Sequence, residues 1–192
     1  MHVWNSSPAW LADDAASEVK AEARAFCLRM INEFYGIGYT PAWHSDLDSL
    51  LKTAPENWFS NGERGSFLLV RDDGGRIAAA GGLYALEKKP STRERFRDRY
   101  RDADAVCQIA RVYLEPGARR KGMGSSVVAA LETRARELGY ITSYLHADAE
   151  TPDTLRFWRS QGYSEFGRFS YPSPRGTDSS VDFEKSLQED AE

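Results

Sequence analysis

The segment of residues 117–126, GARRKGMGSS, constrains this chain most, because it sets three consecutive cations beside two glycines. An apolar, strand-like run over residues 105–114 precedes it, and apolar residues at helical spacing follow from Gly122 to about residue 138. The first turn of a helix carries free N–H groups and a partial positive charge. Glycine there lets an anion reach the backbone without meeting a Cβ. The segment therefore predicts a phosphate or pyrophosphate cradle.

Two better-known phosphate loops do not fit this segment. A Walker A loop requires Lys and then Ser or Thr directly after its second glycine, but Met123 and Gly124 follow Gly122. The dinucleotide fingerprint G-x-G-x-x-G requires a glycine at position 127, where the chain has valine. A basic surface turn that merely caps a helix stays open as the alternative.

Length and composition predict one domain over residues 1–192, with a frayed acidic tail at about 188–192. The net charge of −4 argues against a nucleic-acid or membrane partner, and no run approaches the ~20 apolar residues of a membrane span. The N-terminus does not resemble a signal peptide, so a cytoplasmic protein is expected. Cys27 and Cys107 form no disulfide framework or metal motif, and we expect both to be buried and no metal to be bound.

Periodicity predicts a mixed sheet with helices packed on it. A helix is expected over 16–35, and a second helical region over 46–60, capped by Ser45 or Asp46 and broken at Pro55. Residues 87–104 are expected to form an exposed loop or short helix, and Gly81-Gly82 a bulge or close approach of another backbone. The remaining pattern predicts strands over 66–71, 77–86, 105–114, 140–147, 163–171 and 181–186, helices over 122–138 and 151–162, and a turn-rich connection over 172–180.

Three segments together resemble the GNAT superfamily of acyl-CoA-dependent N-acyltransferases. Residues 119–124, RRKGMG, match its R/Q-x-x-G-x-G/A signature, and the preceding 109–116, IARVYLEP, looks like its central strand with the closing proline. Residues 155–163, LRFWRSQGY, resemble its LxFYxxxGF segment with two aromatic replacements. The resemblance covers about residues 66–170. It implies an α+β fold, with a central mixed, mostly antiparallel sheet, a splayed pair of strands and helices on both faces.

The resemblance also implies an activity and a cofactor site. The expected reaction moves an acetyl group from acetyl-CoA to a primary amine of a small molecule or peptide, by direct transfer in a ternary complex. Val112, Tyr113 and Leu114 would pair with the pantetheine arm. Arg119, Arg120 or Lys121 would reach the 3′-phosphate, and backbone amides from Arg120 to Ser125 would hold the pyrophosphate. The implied cofactor residues are Val112, Tyr113, Leu114, Arg119, Arg120, Lys121, Gly122, Met123, Gly124 and Ser125. A longer acyl donor and a homodimer both stay open.

The usual catalytic groups of the superfamily are replaced in this chain. Gln108 stands where members often have a glutamate base, and Trp158 where many have a tyrosine acid. An amide cannot accept a proton, and an indole N–H has no usable acidity. His146 is the substitute base considered first, since its ordinary pKa suits that role. Water taking the proton also stays open.

Several other side chains remain candidates for the cleft, each with a packing or surface role as the alternative: Tyr113, Tyr144, Tyr163, Glu87, His44, Trp43 and Trp58. The missing base and acid also keep a second function open. In that alternative, the fold binds acyl-CoA as a catalytically impaired sensor or partner subunit.

Overall fold

The computed structural model describes residues 8–173 and 176–188. Five helices run over Ser17–Tyr35 (α1), Ser45–Ser49 (α2), Pro90–Arg95 (α3), Met123–Glu137 (α4) and Pro152–Ser160 (α5). Seven strands run over Ala9–Trp10 (β1), Ser66–Arg71 (β2), Ile77–Ala85 (β3), Val106–Leu114 (β4), Thr142–Asp148 (β5), Ser164–Ser173 (β6) and Gly176–Ser186 (β7). The predicted acidic tail lies outside the described residues, apart from Gln188.

The strands form one sheet in the order β1-β2-β3-β4-β5-β7-β6. Every neighbouring pair is antiparallel except β4 and β5, which are parallel. A parallel pair needs a crossover, and α4 supplies it. The predicted α+β fold with a mixed, mostly antiparallel sheet is confirmed.

Helices cover both faces of the sheet because each has one apolar stripe. On one face α1 buries Ala23, Phe26, Cys27 and Met30 in a core shared with β2 and β3. On the other, α4 and α5 bury a second core. Gly36 ends α1 in the left-handed region at φ 64°, where its N–H donates to Asn32 O at 2.9 Å.

Both cysteines lie inside the protein, as the sequence predicts. Cys27 and Cys107 are fully buried free thiols, one in each of these two cores. Desolvation raises the pKa of each thiol to about 12. They act as small apolar side chains.

Strands β4 and β5 stay paired over only three residue pairs. The last of them joins Gln108 to Tyr144, and beyond it the two strands diverge. The C-terminal half of β4 remains paired with β3 on its other side. The sheet is therefore split from the middle of β4 onward, as expected for a splayed pair.

A β-bulge distorts β4 at the point where the split begins. Tyr113 lies opposite Ala80 and Ala110 opposite Gly82, so Arg111 and Val112 together face Gly81. Arg111 adopts φ 59°, an uncommon backbone conformation for a non-glycine residue. A Cβ on Gly82 would lie 2.4 Å from the Phe59 ring. The two glycines are thus explained by the bulge and by side chains, rather than by another backbone.

Three sequence expectations need correction. The helical region predicted over 46–60 is only the short α2, preceded by His44, and turns follow it. The connection predicted over 172–180 is largely strand, because β6 lies at the sheet edge, where Pro172 needs no ladder partner on its outer side. Strand β1 was not predicted. Residues 87–104 contain the short α3, one of the two expected alternatives.

Candidate active site

A cavity of about 530 Å³ occupies the split between β4 and β5. The α1–α2 connection, the start of α3, and strands β6 and β7 complete its wall. Its lining mixes aromatic rings with ionisable groups, among them Tyr35, Trp43, His44, Asp46, Lys89, Arg95, Gln108, Arg111, Tyr113, His146, Phe169 and Tyr171. A site of this size and mixture suits a small molecule with a few fixed polar groups.

A buried ion pair joins the bulge to the α1–α2 connection. Arg111 donates to both carboxylate oxygens of Asp46 at 2.7 Å, and also to Trp43 O at 2.7 Å. Asp46 is 1% exposed. Burial works to raise the pKa of Asp46, but the charge and hydrogen bonds of Arg111 outweigh it and hold that pKa below its usual value. The pair fixes one wall of the cavity against the sheet.

Gln108 carries a polar atom that the protein leaves without a partner. Its side chain is buried and lines the cavity where β4 and β5 separate. Among the residues described, its Oε1 is the one buried side-chain atom that has no hydrogen-bond partner. Such an atom costs stability unless a ligand or water donates to it. An acceptor without a hydrogen-bond partner therefore lies where β4 and β5 begin to separate.

His146 also faces the cavity, from β5, and belongs to a hydrogen-bonded network. The Tyr144 hydroxyl donates to Asp182 at 2.8 Å and accepts from Arg95 at 2.9 Å. It lies 3.3 Å from His146 Nδ1. Because the hydroxyl hydrogen is used on Asp182, the favourable arrangement has Nδ1–H donating to Tyr144, which leaves the Nε2 lone pair available.

The surroundings of His146 keep its ring neutral. Solvent reaches the ring through the cavity, while protein surrounds its other sides. Desolvation, followed by the charge of Lys89, lowers the pKa of His146 to about 4, and Asp182 opposes that shift. At pH 7 the imidazole is an acceptor of protons, although a weak one.

The other predicted cleft residues divide into two groups. Trp43, His44 and Tyr113 line the cavity. Thr40 N–H donates to His44 Nδ1 at 2.9 Å, so the neutral His44 ring carries its hydrogen on Nε2. Burial lowers the pKa of His44 and raises that of Tyr113.

The second group lies away from the cavity lining. Trp158 is 7% exposed and packs in the core between Phe157 and Tyr163. Tyr163 hydrogen-bonds with Ser143, and Trp58 packs on Tyr84. Tyr144 acts only through the network behind His146. Glu87 is an exposed acid paired with Arg93 at 2.7 Å.

The predicted cradle, residues 120–125, opens α4. Gly122 precedes the helix at φ 80°, and Arg120 has φ 59°. Ser126 supplies the first amide that bonds back, to Gly122 O at 3.0 Å. The amides of Met123, Gly124 and Ser125 therefore precede the first intrahelical bond, as at any helix start.

Side chains around the cradle differ in their surroundings. Arg119, Arg120 and Lys121 are all exposed, and the Arg119 guanidinium lies 3.9 Å from the Phe34 ring centroid. A Cβ on Gly122 would meet open space, but one on Gly124 would lie 3.2 Å from Phe157. A side chain at position 124 would thus require Phe157 of α5 to shift, whereas one at position 122 would meet no neighbour.

The C-terminal half of β4 presents a free edge to the split. Glu115 N–H donates to Ala78 O on β3 at 2.9 Å, and the partners of Leu114 and Tyr113 are Ala79 and Ala80. Alternation along an antiparallel ladder then directs the Tyr113 peptide groups to β3 and those of Leu114 to the split.

No helix in the described part of the chain has the length and apolar character needed to cross a membrane. Within residues 8–173 and 176–188, no three His, Cys, Asp or Glu side chains gather as a metal site.

Together, the split sheet, the cavity within the split and the glycine-rich helix start define an acyltransferase fold. A model of the acetyltransferase (GNAT) family matches residues 28–163. The chain belongs to this family. A comparison with curated proteins found no match.

Solved structures with the same fold span nearly the whole chain at low identity. An acetyltransferase of the GNAT family from Staphylococcus aureus Mu50 is 15% identical, with a TM-score of 0.68, covering 95% of this chain and 100% of its own. The yncA acetyltransferase-fold protein of Salmonella typhimurium, solved with its cofactor acetyl-CoA, is 15% identical with a TM-score of 0.65 (98% and 97% covered). The ribosomal-protein-S18-alanine N-acetyltransferase from Escherichia coli is 13% identical with a TM-score of 0.63 (97% of each chain).

Proposed function

We propose that this protein is an N-acetyltransferase that moves an acetyl group from acetyl-CoA to a primary amine, by direct transfer in a ternary complex. One observation carries the proposal: the split between β4 and β5 joins a free strand edge to a cavity that contains an unsatisfied acceptor. Acetyl-CoA supplies the acetyl thioester. The amine nitrogen bonds to the thioester carbonyl carbon, and the carbon–sulfur bond breaks with its electron pair on sulfur. The nitrogen loses one proton, and CoA leaves as a thiolate that takes up a proton to become the free thiol.

The cofactor side of the site fits a long molecule with phosphates at one end. The backbone groups of Val112 and Leu114 would take the pantetheine arm as an added strand. Amides at the start of α4 would hold the pyrophosphate, supported by its dipole. Arg119, Arg120 and Lys121 are all exposed beside it and would supply positive charge for the 3′-phosphate.

The acceptor side divides binding and proton transfer between two residues. Gln108 Oε1 accepts a hydrogen bond from the amine and orients its lone pair, but it takes no proton. His146 Nε2 is the group that takes the proton, directly or through water, because Tyr144 and Asp182 hold Nδ1 as the donor. Trp158 supports the α5 core and does not touch the cavity.

The second function, an acyl-CoA sensor without transfer, is favoured by the lack of a strong base. Gln108 cannot act as a base, and desolvation together with the charge of Lys89 makes His146 a weak one. Both functions require the cofactor site, so they differ only in turnover with an amine.

Calorimetry with acetyl-CoA tests the cofactor site. Gly122→Val places a β-branched residue at φ 80° in the cradle and is expected to weaken binding at least about tenfold. Gly117→Val is the matched control, because its Cβ also meets open space, outside the cradle. Equal affinities in the two variants contradict the cradle.

Thiol release over a panel of primary amines then separates the two functions. Amine-dependent release supports transfer. Tight acetyl-CoA binding without release from any amine supports the sensor instead.

A further inference from the structure

Lys89 is a cation in the cavity wall that the protein does not neutralise. Two other cations line the cavity, and each faces a buried carboxylate: Arg111 pairs with Asp46 at 2.7 Å and Arg95 with Asp182 at 2.6 Å. Lys89 lines the same cavity, yet its ammonium group has no hydrogen-bond or ion-pair partner within the described part of the chain.

The position of Lys89 suits an anion of the acceptor substrate. It is half-buried and directly precedes α3, next to the N-terminal half of β4. The cradle lies at the opposite, C-terminal end of that strand. Asp46 is within electrostatic reach of Lys89 but is already bound on both oxygens by Arg111. A half-buried ammonium without a counter-ion attracts an anionic ligand group.

Two other features of the cavity complete a binding pattern. Gln108 Oε1 is buried and has no hydrogen-bond partner, so it can accept a hydrogen bond from a ligand N–H group. Trp43, Phe169 and Tyr171 form an aromatic wall, in which the Tyr171 ring lies 5.9 Å from Trp43 and 5.6 Å from Phe169. An amine, an anion and an apolar body together describe one kind of molecule.

We propose that the acceptor is a free amino acid with an apolar or aromatic side chain. Its amine donates to Gln108, its carboxylate pairs with Lys89, and its side chain packs on the aromatic wall. This inference rests on the proposed acetyltransferase function and adds the class of acceptor to it.

Phenylalanine and 2-phenylethylamine make a matched pair of acceptors for the test, since they differ only in the carboxylate. Thiol release gives kcat/KM for each, and we expect about a ten- to hundredfold preference for phenylalanine, the usual value of a hydrogen bond to a charged group. Lys89→Met is expected to remove that preference. Because Lys89 also lowers the pKa of His146, this substitution changes the rates with both amines, and the ratio of the two kcat/KM values is therefore the readout. Comparing the ratio between variants cancels the different basicity of the two amines.

Lys88→Met is the control, because the Lys88 ammonium lies 2.6 Å from Glu63 Oε2 and is not part of the cavity lining. It is expected to keep the wild-type ratio. A wild-type enzyme that acetylates both amines equally, or a Lys89→Met variant that keeps the preference, overturns the proposal and leaves the acetyltransferase function standing.

A binding measurement distinguishes failure of the amino-acid site from failure of acetyl transfer. Calorimetry of phenylalanine into the CoA-loaded protein is expected to show binding that Lys89→Met weakens by the same factor. Such binding without any turnover supports the amino-acid site but contradicts transfer. Absence of phenylalanine binding to the wild-type protein overturns the amino-acid site.

Discussion

Replacing Asp46 with asparagine is expected to destabilise the protein strongly, because it leaves the Arg111 guanidinium buried without a counter-charge. Asp46 is 1% exposed and the Arg111 side chain 16% exposed, with two 2.7 Å hydrogen bonds between them. Removing one partner of such a buried pair costs about 3–5 kcal/mol. For a domain of this size, that lowers Tm by roughly 6–20 °C.

Asp48→Asn is the matched control, two residues further along the chain. Asp48 also pairs with an arginine, Arg24, at 2.7 Å, but the two side chains are 33% and 24% exposed. A pair screened by solvent in this way contributes about 0–1 kcal/mol. Urea unfolding of the two variants and the wild type, followed by circular dichroism, measures the difference.

The pH dependence of the Asp46→Asn effect has a definite sign. Arg111 holds the pKa of Asp46 below its usual value in the folded protein. A carboxyl group with a depressed pKa stabilises the fold above the unfolded pKa, about 3.9, and that stabilisation is lost as pH falls through the folded pKa. The stability difference between wild type and Asp46→Asn should therefore be constant from about pH 5 to 8 and shrink below about pH 4. Equal unfolding midpoints for Asp46→Asn and Asp48→Asn, or a difference that grows in acid, refute the reasoning.

Three further outcomes follow from the site. Gln108→Leu removes the acceptor for the amine and is expected to lower kcat/KM about tenfold or more in thiol-release assays, with acetyl-CoA affinity unchanged by calorimetry. His146→Ala is expected to lower kcat about 10²–10⁴-fold, and the wild-type profile should show no titration of this residue near pH 6.5, because its pKa lies at about 4. Cys27 and Cys107 are fully buried with thiol pKa values of about 12, so iodoacetamide at pH 8 should label neither in the native protein, as judged by intact mass.

Each of these outcomes has a control. Gln108→Glu restores an acceptor at the same place and should recover part of the activity lost in Gln108→Leu. Phe169→Leu alters a ring beside His146 without removing a titratable group, so it should keep the shape of the pH profile. Labelling in urea should reach both thiols. A full-rate Gln108→Leu or His146→Ala enzyme contradicts the assigned roles.

The sequence predicts the strand and the helix that flank the RRKGMG segment, because their signals are local. A strand pattern, the RRKGMG segment and an amphipathic helix follow one another within about 30 residues, and the structure places β4 and α4 accordingly. The periodicity of α1 is equally clear. Local patterns of this kind depend only on residues that are neighbours in the sequence.

The acceptor side could not be predicted in the same way, because its contacts join distant residues. Asp46 and Arg111 are 65 positions apart, and Asp46 was expected only as a helix cap. Arg111 lies within the apolar run IARVYL, and a charge at such a position predicts a buried partner without identifying it. Lys89 had no signal at all within a segment rich in charges of both signs. The length of β6 and β7 depends on their mutual pairing, which turn-forming residues concealed.

The free edge of β4 has a consequence for the protein before any reaction begins. Unpaired peptide groups along a strand offer a template for other chains, and proteins generally protect such edges. If the pantetheine arm pairs with Val112 and Leu114, the cofactor closes that edge and acts as a missing strand. At a concentration one hundred times its Kd, a ligand of the native state adds about 2.7 kcal/mol of stability. The concentration of acyl-CoA would then affect the stability of the protein and its tendency to self-associate, as well as the rate of the reaction.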